Sequence, residues 1–93
     1  MYVIALSSRA KRSLKKYRRN GVLTVEKYDK AIELLRRGKP LPLALRDHAL
    51  KGQLADHREF HLSYDLLVQY KRREEILVIT IVRVGTHEEL FGR

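Results

Sequence analysis

The segment Lys39-Pro40-Leu41-Pro42-Leu43 splits this chain into two unlike parts. Proline has no N–H to donate, fixes its own φ and pushes the preceding residue toward extended backbone, so no helix continues across the pair. Most of what lies before the break has helical periodicity, and most of what lies after it consists of strand-forming runs. A chain organised this way is expected to fold as α+β, with a helical hairpin packed on a small sheet.

Before the break, Tyr2 to Leu6 is a short run of strand formers and predicts a first strand. Ser7 or Ser8 then caps a helix by accepting from a free backbone N–H. Ala10, Leu14 and Tyr17 form its buried stripe, and Asn20-Gly21 ends it, glycine tolerating the left-handed cap. Thr24 caps a second helix with the stripe Tyr28, Ala31, Ile32 and Leu35, which stops at Gly38.

After the break, Asp47 to Gly52 reads as a loop. From His57 the chain reads as a strand, with Arg58, Phe60 and Leu62 on one face and His57, Glu59, His61 and Ser63 on the other. Ser63-Tyr64-Asp65 turns the chain. Leu66 to Lys71 is the next strand and Arg72 to Glu75 a charged hairpin loop. Ile76 to Val84 is the longest strand; it is apolar on both faces and so expected at the centre of the sheet. Thr86-His87-Glu88-Glu89 fits a capping box opening a single helical turn that Gly92 ends. The expected order is β-α-α-β-β-β, mostly antiparallel, in one domain over residues 1–93.

The net charge of +9 lies entirely before the break. Residues 1–39 hold 12 Lys/Arg and 3 Asp/Glu, whereas residues 40–93 hold 8 of each. Seven basic residues fall between Arg9 and Arg19 with no acid among them, which predicts a positive face for a polyanion or an acidic partner, with Lys11, Lys15 and Arg18 on it. The lack of cysteine excludes a disulfide framework and a thiolate zinc site, and fits a reducing cytoplasm. The longest apolar run, Ile76 to Val82, is far too short to span a membrane. Met1 to Leu6 has no charged segment before its apolar run, so no signal peptide is expected.

The residues able to do chemistry all follow the break. They are Arg46-Asp47-His48, His57-Arg58-Glu59-Phe60-His61, Asp65, and Arg83 through Phe91. Imidazoles and a carboxylate move protons near neutral pH, an arginine holds phosphate and an aromatic stacks on a base. On a small basic scaffold this set points to a metal-free nuclease working by proton transfer. His87 would sit at the positive end of its helical turn, which disfavours an added proton, and Phe91 lies four residues on along the same side.

The ordered combination of Leu41-Pro42-Leu43, Asp47-His48-Ala49-Leu50-Lys51-Gly52, Arg58-Glu59-Phe60-His61, Asp65, Tyr70-Lys71 and Arg83-Val84-Gly85-Thr86-His87-Glu88-Glu89-Leu90-Phe91-Gly92 resembles the YafQ branch of the RelE/ParE toxin superfamily. The resemblance covers residues 40–93 well; the amino-terminal hairpin agrees in type more than in letters. It implies a ribosome-dependent endoribonuclease that cuts messenger RNA in the ribosomal A site, restrained by a cognate antitoxin, on a fold of a helical hairpin over a mostly antiparallel sheet. The family's catalytic histidines fall on His48, His61 and His87, its aspartate on Asp65, its arginine on Arg83 and its aromatic on Phe91. Glu59 departs from the aspartate of close relatives, and His57 from their aromatic.

The chemistry also stands on its own. RNA supplies the ribose 2′-hydroxyl as nucleophile; a base takes its proton, an acid protonates the leaving 5′-oxygen, and a cation stabilises the crowded phosphorane. That scheme uses no metal and no cofactor. His87, Asp65 and His48 are the expected proton-transfer groups, and Arg83 the phosphate clamp unless it pairs with Glu59 across the sheet. His61 with Glu59 orients substrate or tunes a neighbour, and Lys51 and Arg58 are expected as secondary phosphate contacts. A zinc site from His48, His57, His61 and His87 is disfavoured, because four-residue spacing on a strand does not preorganise ligands as it does on a helix. The competing readings are a non-catalytic toxin of the same superfamily that binds a protein target such as gyrase, and a plain basic nucleic-acid-binding module. Both leave the histidine cluster without a task.

Overall fold

The computed structural model describes residues 1–92. Strand β1 (Val3–Leu6) leads into helix α1 (Ser8–Arg19) and helix α2 (Val25–Arg36). After the prolines come β2 (His48–Ala49), β3 (Arg58–Ser63), β4 (Leu66–Arg73), β5 (Val78–Gly85) and the short helix α3 (His87–Phe91). The sheet has five strands in the order β1-β5-β4-β3-β2; β1 runs parallel to β5 and the remaining neighbours are antiparallel. No helix among the described residues is long and apolar enough to cross a membrane.

Local chemistry explains the helix starts. Ser7 caps α1, accepting from the Ala10 N–H at 2.9 Å, and its hydroxyl donates to the Val82 carbonyl at 2.7 Å, so the cap also fixes the helix to β5. Thr24 occupies the cap position of α2 without a capping side-chain bond, contrary to expectation; the start rests on the Tyr28 N–H donating to the Thr24 carbonyl. Ala10, Leu14, Tyr17, Tyr28, Ala31 and Leu35 are buried against Phe60, Leu62, Val68, Tyr70, Ile79 and Ile81 of one sheet face.

Three boundaries differ from the sequence reading. The expected loop at Asp47 contains β2, a two-residue edge strand pairing His48 with Glu59 and Ala49 with Arg58. So short a strand leaves no periodicity to read. The charged hairpin lies two residues later than expected: β4 continues to Arg73, and the turn is Glu74–Ile76, closed by Leu77 in the left-handed region at φ 54°. The central strand is β4, where Leu66 to Tyr70 are all buried, while β5 lies between it and β1.

A β-bulge completes the frame. β4 pairs Gln69 with Arg83 but Tyr70 with Ile81, so Val82 is an extra residue on β5. Without it, alternation would place Arg83 on the helix-covered face with Ile79 and Ile81. The bulge returns Val84 to the core and turns Arg83 to the open face.

Candidate active site

Pairing across the sheet aligns His48 with Glu59, Glu59 with Gln69, and Gln69 with Arg83, one residue from each of four strands. Paired residues project from the same face, here the face away from α1 and α2. Glu59 is only 4% exposed. A buried carboxylate needs partners, and Gln69 Nε2 donates to its Oε1 at 3.2 Å while His48 Nε2 lies 3.6 Å from its Oε2.

His61 stands between the other two histidines of the site, with ring centroids 6.2 Å from His48 and 5.8 Å from His87. His48 Nδ1 lies 2.7 Å from the Arg46 carbonyl, an acceptor only, so Nδ1 is the donor and Nε2 is directed to Glu59. At the other end, the His87 backbone N–H and Nδ1 both meet Oδ1 of Asp65, at 2.9 and 2.6 Å. An ionised carboxylate accepts only, so His87 Nδ1 carries its proton toward Asp65 and Nε2 is left unprotonated in the neutral ring. Both outer imidazoles are thus oriented through Nδ1 by an oxygen acceptor, the Arg46 carbonyl for His48 and Asp65 for His87.

The electrostatics separate the groups. The His87 backbone N–H, then its side chain, hold the Asp65 carboxyl below its ordinary value. Burial, then the nearby Arg46 charge and the flanking His87 and His48, lower His61 against the opposing pull of Glu59, so His61 is largely neutral at pH 7. Burial, then Arg9, lowers Arg83, which remains a cation.

The placement of His87 depends on α3, and α3 is anchored through Glu89. The capping box forms as the sequence predicts, with Thr86 Oγ1 accepting from Glu89 N–H and the Glu89 carboxylate accepting from Thr86 N–H. The same carboxylate accepts from Tyr17 and, at 3.2 Å, from Lys16, which ties α3 to α1. Arg83 Nη2 donates to the Glu89 carbonyl at 2.9 Å and does not pair with Glu59. Gly85 leaves the room: a Cβ there would lie 2.9 Å from Glu89 Oε1.

His61 and His87 border an open cleft of about 470 Å³ shared with Lys27, Leu45, Arg46 and Tyr64. Lys27 and Tyr64 were not singled out by the sequence reading as site residues, and Arg46 was named there without a role of its own. Tyr64 is 95% exposed beside the cleft, a flat surface suited to a base; the available signal was a large aromatic at a turn next to Asp65. Phe91 is half-exposed on α3 and is not among the cleft-lining residues. Lys51 is exposed beyond β2, and Lys11, Lys15 and Arg18 are exposed on α1. Arg58 points to the opposite face from Glu59 and His61, where its Nε donates to Asp47 at 3.2 Å, so it lies outside this cleft. His57 pairs with Asp56, whose carboxyl is lowered to about 2 by Lys71 and then His57, and takes no part in the cluster.

His48, Glu59 and His61 each offer one ligand atom, all within 4.8 Å of one another. Two imidazoles and a carboxylate suit a divalent transition metal. This set differs from the four-histidine group weighed on sequence grounds, since Glu59 belongs to it and His57 does not.

Residues 2–92 match the family described as bacterial toxin of type II toxin-antitoxin system, YafQ. The chain is 38% identical over 53 residues to the mRNA interferase toxin YafQ of Escherichia coli K12, a match that covers 57% of this chain and 55% of that protein. The chain thus spans about half the length of the curated E. coli relatives it matches. It is 33% identical over 90 residues to a YafQ toxin of Haemophilus influenzae, covering 95% of this chain and 82% of the other. Among solved structures, a metal-bound toxin from Helicobacter pylori superposes with TM-score 0.91 at 36% identity, over 98% of this chain and 100% of that one. YafQ in the E. coli DinJ-YafQ complex superposes with TM-score 0.86 at 26% identity, over 99% and 100%.

Proposed function

The chain belongs to the YafQ family of bacterial toxins of type II toxin-antitoxin systems, and from that membership and the geometry above we propose that it is an endoribonuclease that cleaves messenger RNA on the ribosome. The observation that carries the reading is the line of three imidazoles closed at one end by Asp65 and at the other by Glu59. His48 and His87 present Nε2 atoms on either side of His61, an arrangement suited to removing a proton from the 2′-hydroxyl and delivering one to the 5′-oxygen. Arg83 and Arg46 supply positive charge for the phosphorane, and Tyr64 or Phe91 a stacking surface for a base. The products carry 2′,3′-cyclic phosphate and 5′-hydroxyl ends. The E. coli relative has been solved in complex with DinJ, which supports a cognate antitoxin as the partner that restrains this chain.

The test is a reconstituted translation reaction with a defined message, its cut sites mapped by primer extension and its ends tested for cyclic phosphate. Cleavage that requires ribosomes and is lost in His87→Ala supports the proposal. Unchanged cleavage by a folded double variant, His48→Ala with His87→Ala, overturns it.

A second reading concerns metal. The cluster of His48, Glu59 and His61 and the metal-bound state of the H. pylori relative favour binding of zinc or copper at this site. Such an ion would occupy imidazole nitrogens needed for proton transfer, so metal and cleavage would exclude one another. Activity titrated with zinc and then restored by a chelator distinguishes this from cleavage that needs the metal.

A further inference from the structure

We propose that Lys39, Arg58 and Arg72 form a second oxyanion site, which holds a backbone phosphate of the bound RNA outside the scissile position. The proposal rests on the RNA-cleaving reading for the identity of its ligand, and on separate residues for the site. Those residues border a pocket of about 380 Å³ with Gly38, Pro40 and Asp47.

Its charge is unbalanced. Asp47 is the one acid in the lining. Its Oδ1 accepts from Arg58 Nε at 3.2 Å and from the Tyr70 hydroxyl at 2.8 Å. Burial, then Asp47, pushes Tyr70 up to about 12, so the phenol stays a donor and keeps that oxygen engaged. Asp47 therefore offsets one of three cations. Lys39 and Arg72 make no ion pair among the described residues.

Arg72 supplies the second observation. Its guanidinium carbon lies 5.5 Å from the centre of the Tyr2 ring, which supports the planar group from one side. Its Nε is the buried side-chain polar atom that lacks a hydrogen-bond partner among the described residues. Buried donors are rarely left so, and such an exception is explained by strain, by a water or by an ion taken up beside it. Guanidinium forks and an ammonium are the groups proteins use for phosphate oxygens.

Position favours a phosphate of RNA over an acidic side chain of a protein. Arg46 lines the cleft of His61 and His87, and Asp47, the next residue, lines this pocket. Consecutive Cα atoms are about 3.8 Å apart, and β2 is an edge strand only two residues long. A polyanion that leaves the cleft over that edge therefore meets this pocket first. In this proposal Arg58 meets phosphate from the strand face it shares with Phe60, away from Glu59 and His61.

The experiment has two arms. In the first, inorganic phosphate is titrated into the isolated protein while the Arg72 Nε–H and Tyr2 ring resonances are followed by NMR. Saturable shifts, absent in Arg72→Gln, support the site. In the second, binding of a single-stranded RNA with a 2′-deoxy group at the cut position is measured across a salt series for wild type, Arg72→Gln, Lys39→Gln and Arg72→Lys. Each phosphate no longer neutralised reduces the slope of log K against log salt by about 0.7. Affinity at low salt falls about tenfold, with partial recovery in Arg72→Lys. Absence of phosphate-induced shifts in a protein that still cleaves messages overturns the site alone. Phosphate binding with wild-type salt slopes in both glutamine variants overturns the RNA assignment. A wild type that responds to phosphate but neither binds nor cuts RNA fails at the earlier reading, and takes the assigned ligand with it.

Discussion

Glu59 and Phe60 are consecutive residues of β3, both buried, and they serve opposite faces of one sheet. Phe60 faces the helices, 5.9 Å from the Tyr70 ring centre in an edge-on contact, in a core of aliphatic and aromatic side chains. Glu59 faces the cleft side with Gln69, His48 and His61. The first face gains stability from removing apolar surface from water. The second holds desolvated polar groups in fixed orientations, which contributes little to stability and a great deal to the aim of the imidazoles. Period-two alternation therefore lets a 93-residue chain place a packed core and the polar cluster of the proposed site on opposite faces of the same strands.

The largest effects should separate the two faces cleanly. His87→Ala is expected to reduce cleavage by about 10²–10⁴-fold, the range for a lost general acid or base, and to leave thermal stability within about 0.5 kcal/mol of wild type, since the side chain is half-exposed. Phe60→Ala should do the reverse, costing about 3–5 kcal/mol of stability for a fully buried ring. Message cleavage and denaturant melts on the same preparations provide the check. If His87→Ala unfolds the protein as Phe60→Ala does, the division between the faces is wrong.

The next effect concerns charge. Neutralising Lys11, Lys15 and Arg18 together, all exposed on α1, should weaken ribosome or RNA binding and flatten its salt dependence, by up to about 0.7 in slope for each phosphate left without its cation. A salt titration with unchanged slope would reduce the basic surface of α1 to a solvated one. Lys16 is deliberately left in place, because its ion pair with Glu89 would confuse docking with the position of α3.

Much of this division was legible in the sequence, and the exceptions have physical causes. The helical stripes, the break at Pro40 and Pro42, the Ser7 cap and the capping box at Thr86 are local signals, and each formed. The strand faces of β3 followed from alternation. The bulge at Val82 did not, since it shows only in how β5 meets β4, and it decides on which face Arg83 lies. Strand β2 is defined by two pairings with a distant segment. Arg46 and Tyr64 belong to the cleft because the segment before β2 folds beside the turn between β3 and β4, which no periodicity encodes. Among the residues that were legible, His48, His61, Asp65 and His87 do converge, and Arg58 lies on the other face, where alternation along β3 had set it.

A smaller effect tests where the two faces exchange roles. Gln69 is 1% exposed, and leucine would fill much of its space. If burial alone mattered, Gln69→Leu would be neutral. It removes the donor to Glu59 Oε1, however, and an unmet buried acceptor costs about 1–3 kcal/mol. The variant should therefore be less stable, measured by denaturant melts, with an altered pH profile of cleavage through the Glu59–His48 pair. A more stable Gln69→Leu would mean that Glu59 is satisfied by solvent.

The smallest effect is the pH dependence of the pairing between Asp65 and His87, and here the sign matters. The Asp65 carboxyl is lowered in the folded state by donation from the His87 backbone N–H and side chain. A group with a depressed folded pKa contributes stability above its unfolded value, about 3.9 for aspartate. That contribution is lost as pH falls through the lowered folded value. Because the side chain is half-exposed, solvent screens the interaction, and global unfolding should scarcely register the loss. The local reporter is α3: as the solution is acidified below about pH 4, His87 should lose its fixed ring orientation before the core on the other face opens. NMR of the His87 ring and of the Ile79 and Ile81 methyls, followed over the same acid titration, measures both events. In Asp65→Asn the early step should vanish, because the amide does not titrate. If the methyl signals of the core move together with the His87 ring, the two faces unfold as one unit, and the site is less independent of the core than its geometry implies.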